Sequence, residues 1–215
     1  MNEKILDIFS WGKHLVFQFE TFAFRVHFLL YGSFEAIVRD KKVTGDYLPP
    51  KKNPRLFLKL PNGSISMYNC SIKYIESAYA KEEYDYTTDI MSSEWDPKKA
   101  LVKIKRHPES EIGDLLLDQT IFSGVGNIIK NEVLFLVKKV PMTKSERLSP
   151  EKIKEVIKKA QEFSYNFYKW RKQFELKKHY QIYRKIACPI CGGKVTRQRT
   201  GVWKRISFFC PECQK

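Results

Sequence analysis

Two Cys-x-x-Cys pairs stand at the end of this 215-residue chain, Cys188-Pro189-Ile190-Cys191 and Cys210-Pro211-Glu212-Cys213, with 18 residues between them. Each pair can grip one side of a tetrahedral ion, and the interval fits a β-hairpin. Gly192, directly after the first pair, lets that knuckle turn so that backbone N–H groups reach the sulfurs. Four thiolates fill a coordination shell, which predicts one structural zinc with no open position for catalysis. Disulfides are the weaker alternative, because the expected compartment keeps thiols reduced. The fifth cysteine, Cys70, stands alone in strand-like sequence and is expected to act as a small buried hydrophobe.

Between the pairs, Lys194, Arg197, Arg199, Lys204 and Arg205 put cations on the arms and tip of the hairpin. The whole chain shares this bias. Lys and Arg number 39 against 24 acidic residues, a net charge of +15. Met1–Pro97 holds 12 basic and 13 acidic residues, whereas Lys98–Lys215 holds 27 and 11. Such segregation points to a polyanionic partner, of which nucleic acid is the commonest. No apolar run is long enough to span a membrane, and the first residues lack the apolar core of a secretory signal. The expectation is a cytoplasmic monomer, nucleoid-associated in a bacterium, with no membrane partner.

The first part of the chain reads as strands. Lys4–Phe9 is apolar-rich, Trp11-Gly12-Lys13 turns into His14–Glu20, and Phe22–Tyr31 follows, with Gly32 marking a bend or bulge before Phe34–Arg39. A polar, Pro-rich crossing over Lys41–Pro54 leads to Leu56–Leu60, a turn at Pro61-Asn62-Gly63, and returning strands over Ser64–Tyr68 and Ser71–Tyr79. This part is a mostly antiparallel β-sandwich or curled sheet. Asp96-Pro97 then signals a helix start, and Ser149-Pro150-Glu151 signals another. The second of these helices carries Ile153, Val156, Ile157, Ala160, Phe163, Phe167 and Trp170 at three- and four-residue spacing, which is a core face.

Between the two helix starts lies Leu115–Glu132, LLLDQTIFSGVGNIIKNE. Its Gly124-Val125-Gly126-Asn127 makes a tight turn that delivers Asn127 and unpaired backbone N–H groups to a helix N-terminus, a place that attracts phosphate. The helix that follows buries Ile128, Ile129, Val133, Leu134 and Val137.

Taken together, these segments resemble the formamidopyrimidine-DNA glycosylase/endonuclease VIII family. Leu116-Leu117-Asp118-Gln119, Gly124-Val125-Gly126-Asn127 and Glu132 look like its helix–two-turn–helix signature. Tyr183-Arg184, the four cysteines, Arg205, Phe208-Phe209-Cys210 and Cys213-Gln214 look like its zinc finger. Trp11-Gly12-Lys13-His14-Leu15 resembles its Gly-Lys-x-Leu strand, and His27–Phe34 its His-x-Gly-Met-x-Gly segment. The resemblance implies an α+β protein. It would have an incomplete N-terminal antiparallel β-sandwich over 1–95, a helix–two-turn–helix DNA-binding domain over 96–180, and a zinc-finger β-hairpin over 181–215. It also implies base-excision repair of double-stranded DNA with damaged bases or abasic sites. The damaged base is flipped out, an N-terminal proline attacks the sugar as a Schiff base forms, and elimination cuts the strand. Lys13 then matches the residue assigned to the first elimination and to a phosphate. Arg205 matches the one assigned to the second elimination and flanking phosphates, and Asn127 matches a phosphate ligand. For Glu132, helix capping or a buried polar role is an equal alternative.

The departures sharpen the reading. Met1-Asn2-Glu3-Lys4 does not match the family's Met-Pro-Glu start, so the proline nucleophile and its glutamate are expected to lie outside these residues. Leu30 replaces the methionine that fills the void of the flipped base, an apolar swap. Asn69–Ile75 lacks the family's charged wedge, with Lys73 and Tyr74 as the nearest substitutes, and Gly113 stands where lysine is frequent. The short link Lys172–Gln181 favours the endonuclease VIII branch. Three readings follow: a glycosylase/lyase whose sequence here starts late, a DNA-binding relic that does not cleave, and an unrelated zinc-finger module bound to RNA or ribosomes.

Overall fold

Gly12, at φ 57°, turns the chain back after its first strand, so β1 (Asp7–Trp11) pairs with β2 (His14–Gln18) as the sequence predicts. The computed structural model describes residues 3–45 and 52–215. The longest strand, β3 (Ala23–Val38), pairs along its length with β6 (Gly63–Ile75), and their register shifts between Phe28 and Ser33. Gly32 occupies that irregularity, where a Cβ would meet Phe28 Cβ at 2.8 Å and the Asn69 carbonyl oxygen at 2.9 Å. With β4 (Lys41–Thr44) and β5 (Leu56–Leu60) the sheet has six antiparallel strands in the order β1-β2-β3-β6-β5, β4 pairing with β3. The hydrogen bonds run through all six. The antiparallel domain is therefore one sheet, where the sequence leaves open a sandwich or a curled sheet.

β4 corrects the expected polar crossing. Arg39 (φ 46°) and Asp40 (φ 64°) form a two-residue turn with both residues left-handed, whose twist suits a hairpin. Of the crossing, residues 46–51 lie outside the described ones. The expected turn at Pro61-Asn62 does join β5 to β6, pairing Leu60 with Gly63. Alternate residues of β2 and β3 enter different clusters: Phe17, Val26, Met67 and Cys70 in one, Val16, Ala23, Ile75 and Ala80 in the other. Cys70 is the buried apolar thiol the sequence predicts. Buried Gln18 is fully engaged, with Nε2 donating to the carbonyls of Phe19, Phe22 and Ser77 and Oε1 accepting from Ala80 N.

The chain divides into two compact units, Met1–Tyr84 and Asp85–Lys215. This replaces a boundary at residue 95 and a separate finger. Residues 85–95 belong with the helices because Ile90 and Trp95 enter the helical core, while Ile90 N and Ser123 N donate to the Ser123 and Thr88 carbonyls at 3.2 and 2.8 Å. At this boundary the second unit holds 27 basic and 15 acidic residues, most of the excess charge. It contains α1 (Pro97–Lys105), α2 (Ile112–Leu115), α3 (Asn127–Leu136) and α4 (Pro150–Lys172), then the hairpin of β7 (Thr196–Thr200) and β8 (Arg205–Phe209). Asp96 caps α1 by accepting from Lys98 N and Lys99 N, and Ser149 caps α4 by accepting from Lys152 N. Both helices start where the Asp-Pro and Ser-Pro pairs place them. The α4 stripe packs on Ile129, Val133, Leu134 and Val137 of and after α3. Among the described residues no helix is long and apolar enough to cross a membrane.

Candidate nucleic-acid interface and metal centre

The four cysteines at the end of the second unit converge, each Sγ lying within 4.8 Å of the others. Cys188 Sγ is 3.8 Å from Cys213 Sγ, and Cys191 Sγ is 3.5 Å from Cys210 Sγ. Tetrahedral ligation with metal–sulfur bonds of about 2.3 Å requires sulfurs roughly 3.8 Å apart, so the set fits one ion. Gly192, at φ 73°, makes the knuckle turn, and Gly193 N donates to Cys191 Sγ at 3.4 Å. The Cys188 and Cys213 thiols shift in different directions: burial opposes ionisation of Cys188, but hydrogen bonds within the knuckles lower it to about 7. Hydrogen bonding with Cys191, then burial, pushes Cys213 up to about 12. The cluster can hold a metal ion.

The hairpin between the pairs is fixed to α3 by a stripe of polar side chains. Asn127 Nδ2 donates to the Ile206 carbonyl at 2.9 Å, and Lys130 Nζ reaches Ser207 Oγ at 2.6 Å. Asn131 Oδ1 accepts from Phe208 N at 2.7 Å. Glu132 accepts from Gln181 N, Ile182 N and Tyr183 N at 2.9, 3.2 and 2.8 Å. Glu132 is therefore a buried polar anchor for the segment entering the finger. Burial raises its pKa, and the three N–H donors pull it back. Burial lowers Lys130 to about 8; Arg205 repels its charge as well, while Asp114 and Glu111 support it. At the far end of the chain, Gln214 Oε1 accepts from Cys210 N and its Nε2 donates to the Lys139 carbonyl.

Sequence reasoning finds the apolar face of α3 together with Asn127 and Glu132. Lys130 and Asn131 are missed, although their spacing from Asn127 puts all three on one stripe.

The two-glycine turn is braced from within. Gln119 Nε2 donates to the Leu117 and Val125 carbonyls, Gln119 Oε1 accepts from Gly124 N, and Gly124 takes φ 98°. Val125 is completely buried, which pins the turn. Gly126 supplies no side-chain cap to α3, so the helix presents uncapped N–H groups and the positive end of its dipole. Asn127 Oδ1 is buried there without a hydrogen-bond partner. Because Asn127 bonds to Ile206, exposed Arg205 is held one residue away from that contact. Asn127, Arg205 and the four cysteines thus share the second unit.

Lys13, Leu30, Lys73 and Tyr74 belong to the first unit. Lys13 is exposed in the β1–β2 turn beside His14, whose ring stacks on Trp11. Burial, then the charges of Arg25, His27 and Lys13, lower His14 to about 4. Leu30, 77% exposed, projects from the irregular stretch of β3. Lys73 and Tyr74 lie farther along β6, opposite Arg25 and Phe24, with Tyr74 stacked on Phe22; the neighbours of the irregularity on β6 are Tyr68 and Cys70.

Residues 88–164 match the formamidopyrimidine-DNA glycosylase H2TH domain, the region that carries this turn. Over 207 residues, 95% of the chain, the sequence is 34% identical to Endonuclease 8-like 3 of Xenopus laevis. The chain carries an H2TH domain of the formamidopyrimidine-DNA glycosylase type and is similar to endonuclease 8-like proteins. It spans about a third of that relative, 33% of its length. The fold also matches solved structures. A viral DNA glycosylase superposes with a TM-score of 0.84 at 22% identity, covering 100% of this chain and 87% of the other. Lactococcus lactis formamidopyrimidine DNA glycosylase, non-covalently bound to DNA containing an AP site, gives 0.79 at 23% identity, covering 99% and 82%.

Glu132 is the most testable of the anchors. Glu132→Ala would strand three N–H groups and should destabilise the second unit by about 3 kcal/mol, with Glu132→Gln costing less. Urea denaturation checks this; equal midpoints for Glu132→Ala and the parent would refute it.

Proposed function

We propose that this chain works in base-excision repair, as the DNA-binding and elimination apparatus of a damaged-base DNA glycosylase with abasic-site lyase activity. Its partner is double-stranded DNA containing damaged bases or abasic sites. The observation that carries the reading is the meeting of Asn127, Arg205 and the uncapped start of α3 on one unit with a large positive charge. Helix N–H groups and a guanidinium are complementary to consecutive phosphates. The likeness to Endonuclease 8-like 3 and to a glycosylase bound to AP-site DNA supports the same reading.

In this reading Asn127 and Arg205 hold phosphates, Lys13 holds another and assists the first elimination, and Arg205 assists the second. Leu30 enters the space left by the extruded base, and Lys73 and Tyr74 line the approach. The attacking amine is not assigned to a residue of this sequence. Beside phosphate the ammonium form of Lys13 is favoured, and an ammonium is no nucleophile. Cys188, Cys191, Cys210 and Cys213 would hold one zinc, which supplies a structural staple and no reactive position.

Three outcomes are expected. Metal analysis should give about one zinc per chain, and chelation should release it together with the β7–β8 hairpin fold; a metal-free protein with an intact hairpin would remove zinc from the account. Arg205→Ala should weaken binding to an abasic duplex and reduce the slope of log affinity against log salt by about one contact. Salt-independent binding is incompatible with the phosphate assignment. In borohydride trapping on an abasic duplex, a longer protein that adds the attacking amine to these residues should form the covalent adduct, and Lys13→Ala in it should lower strand cutting while leaving that adduct. Loss of the adduct would make Lys13 the nucleophile, and no adduct from any protein containing these residues would mean binding without cleavage.

A further inference from the structure

The turn joining β7 to β8 is held more firmly than its exposure requires. Asp114 Oδ2 accepts from Val202 N at 2.8 Å, and Arg199 Nη1 donates across the hairpin to the Lys204 carbonyl at 2.9 Å. Gly201, at φ 70°, lies so close to Asp114 that a Cβ would meet its Oδ1 at 2.0 Å. Lys204 N closes the turn on the Gly201 carbonyl at 3.2 Å. On this fixed turn the two apolar side chains point away from the core, Val202 at 78% exposure and Trp203 at 60%. The ties come from backbone groups and from Asp114, so neither apolar side chain is needed to build the turn.

We propose that Trp203 stacks on an unpaired base of the DNA strand whose phosphates Asn127 and Arg205 hold. The inference rests on the DNA-binding reading of the second unit and adds a base contact to its phosphate contacts. Trp203 precedes Arg205 by two residues, so their Cα atoms lie within about 7 Å of each other. A nucleotide held at Arg205 by its phosphate therefore has its base within reach of the indole. Trp203 borders a cleft of about 670 Å³ lined by Glu111 and Asp114 as well as by Arg199 and Lys204. With its phosphate engaged by Arg205, the base is the part of the nucleotide left to meet the ring. Every base offers a π-face, so the contact is indifferent to sequence. A ring carried on a turn whose backbone is already fixed requires no ordering of that backbone on stacking.

The test compares the full chain with Trp203→Ala and Trp203→Phe by fluorescence anisotropy on two labelled single strands of equal length. One carries normal bases, and the other is an all-tetrahydrofuran strand without bases. Trp203→Ala should lose about tenfold in affinity for the base-bearing strand, and Trp203→Phe should keep most of it. Neither change should alter affinity for the base-free strand or the salt slope, because no charge is removed. Unchanged affinity of Trp203→Ala for the base-bearing strand, or an equal loss on both strands, would overturn stacking while leaving the DNA interface standing. If the parent protein binds an abasic duplex but neither single strand, stacking on an unpaired base fails while the DNA-binding reading stands; if it binds neither the duplex nor the strands, both fail. Matching thermal melts of the three proteins exclude misfolding as the cause of any loss.

Discussion

The second unit depends on a single helix that buries apolar and polar side chains alike. One face of α3 puts Ile129, Val133 and Leu134 into the helical core. Around the rest of its circumference Lys130, Asn131 and Glu132 are buried to within 1% of complete exclusion from water. A buried polar group without a partner costs about 1–3 kcal/mol, so these three side chains fix the position of whatever satisfies them. Their partners are Ser207, Phe208 and residues 181–183, so the finger and its leading segment have one place to sit. The register of β8 against α3 then decides where Arg205 emerges.

Charge is arranged around that docking. Lys130 is buried close to Arg205, and the repulsion is tolerated because Asp114 and Glu111 lie near its ammonium. Asp114 has a second role, accepting the N–H of Val202 at the turn. Glu132 and Asp114 are thus engaged by backbone donors, and Asp114 and Glu111 also face the one buried lysine. Arg205, Lys204 and the free end of α3 are left facing water with positive potential. That division gives a basic surface to a unit that still contains 15 acidic residues.

The first unit solves a different problem. Its two longest strands, β3 and β6, would be an uninterrupted ladder were it not for the break between Phe28 and Ser33. Tyr31 (φ 61°) and Asn69 (φ 48°) take left-handed conformations on either side of it, and Asn69 Nδ2 donates to the Tyr31 carbonyl at 3.3 Å. The extra residues leave the ladder, and Leu29, Leu30 and Tyr31 stand out from the sheet as an apolar projection. The hairpin turn at Gly12 presents Lys13 in a similar way, by a local backbone conformation on a rigid sheet.

Features encoded within a few neighbouring residues were legible in the sequence. Asp96-Pro97 and Ser149-Pro150 start helices because cap and first-turn chemistry is local, and the α4 stripe is buried because its period is that of the helix. The cysteine spacing gave the cluster, Gly12 and Asn62-Gly63 gave hairpins, and Gly32 gave the break in β3. The Arg39-Asp40 turn was local too, but it lacks the glycine that advertises such turns, and so β4 was overlooked. What tertiary structure alone decided is which distant groups the polar side chains satisfy. Glu132 meets residues 181–183, Lys130 meets Ser207, and Asp114 meets Val202, across intervals of 49 to 88 residues. No periodicity encodes such pairings, because a carboxylate or an ammonium is satisfied by any donor or acceptor that packing brings within reach. The merging of finger and helices into one unit, and the placing of Arg205 beside Asn127, follow from those pairings.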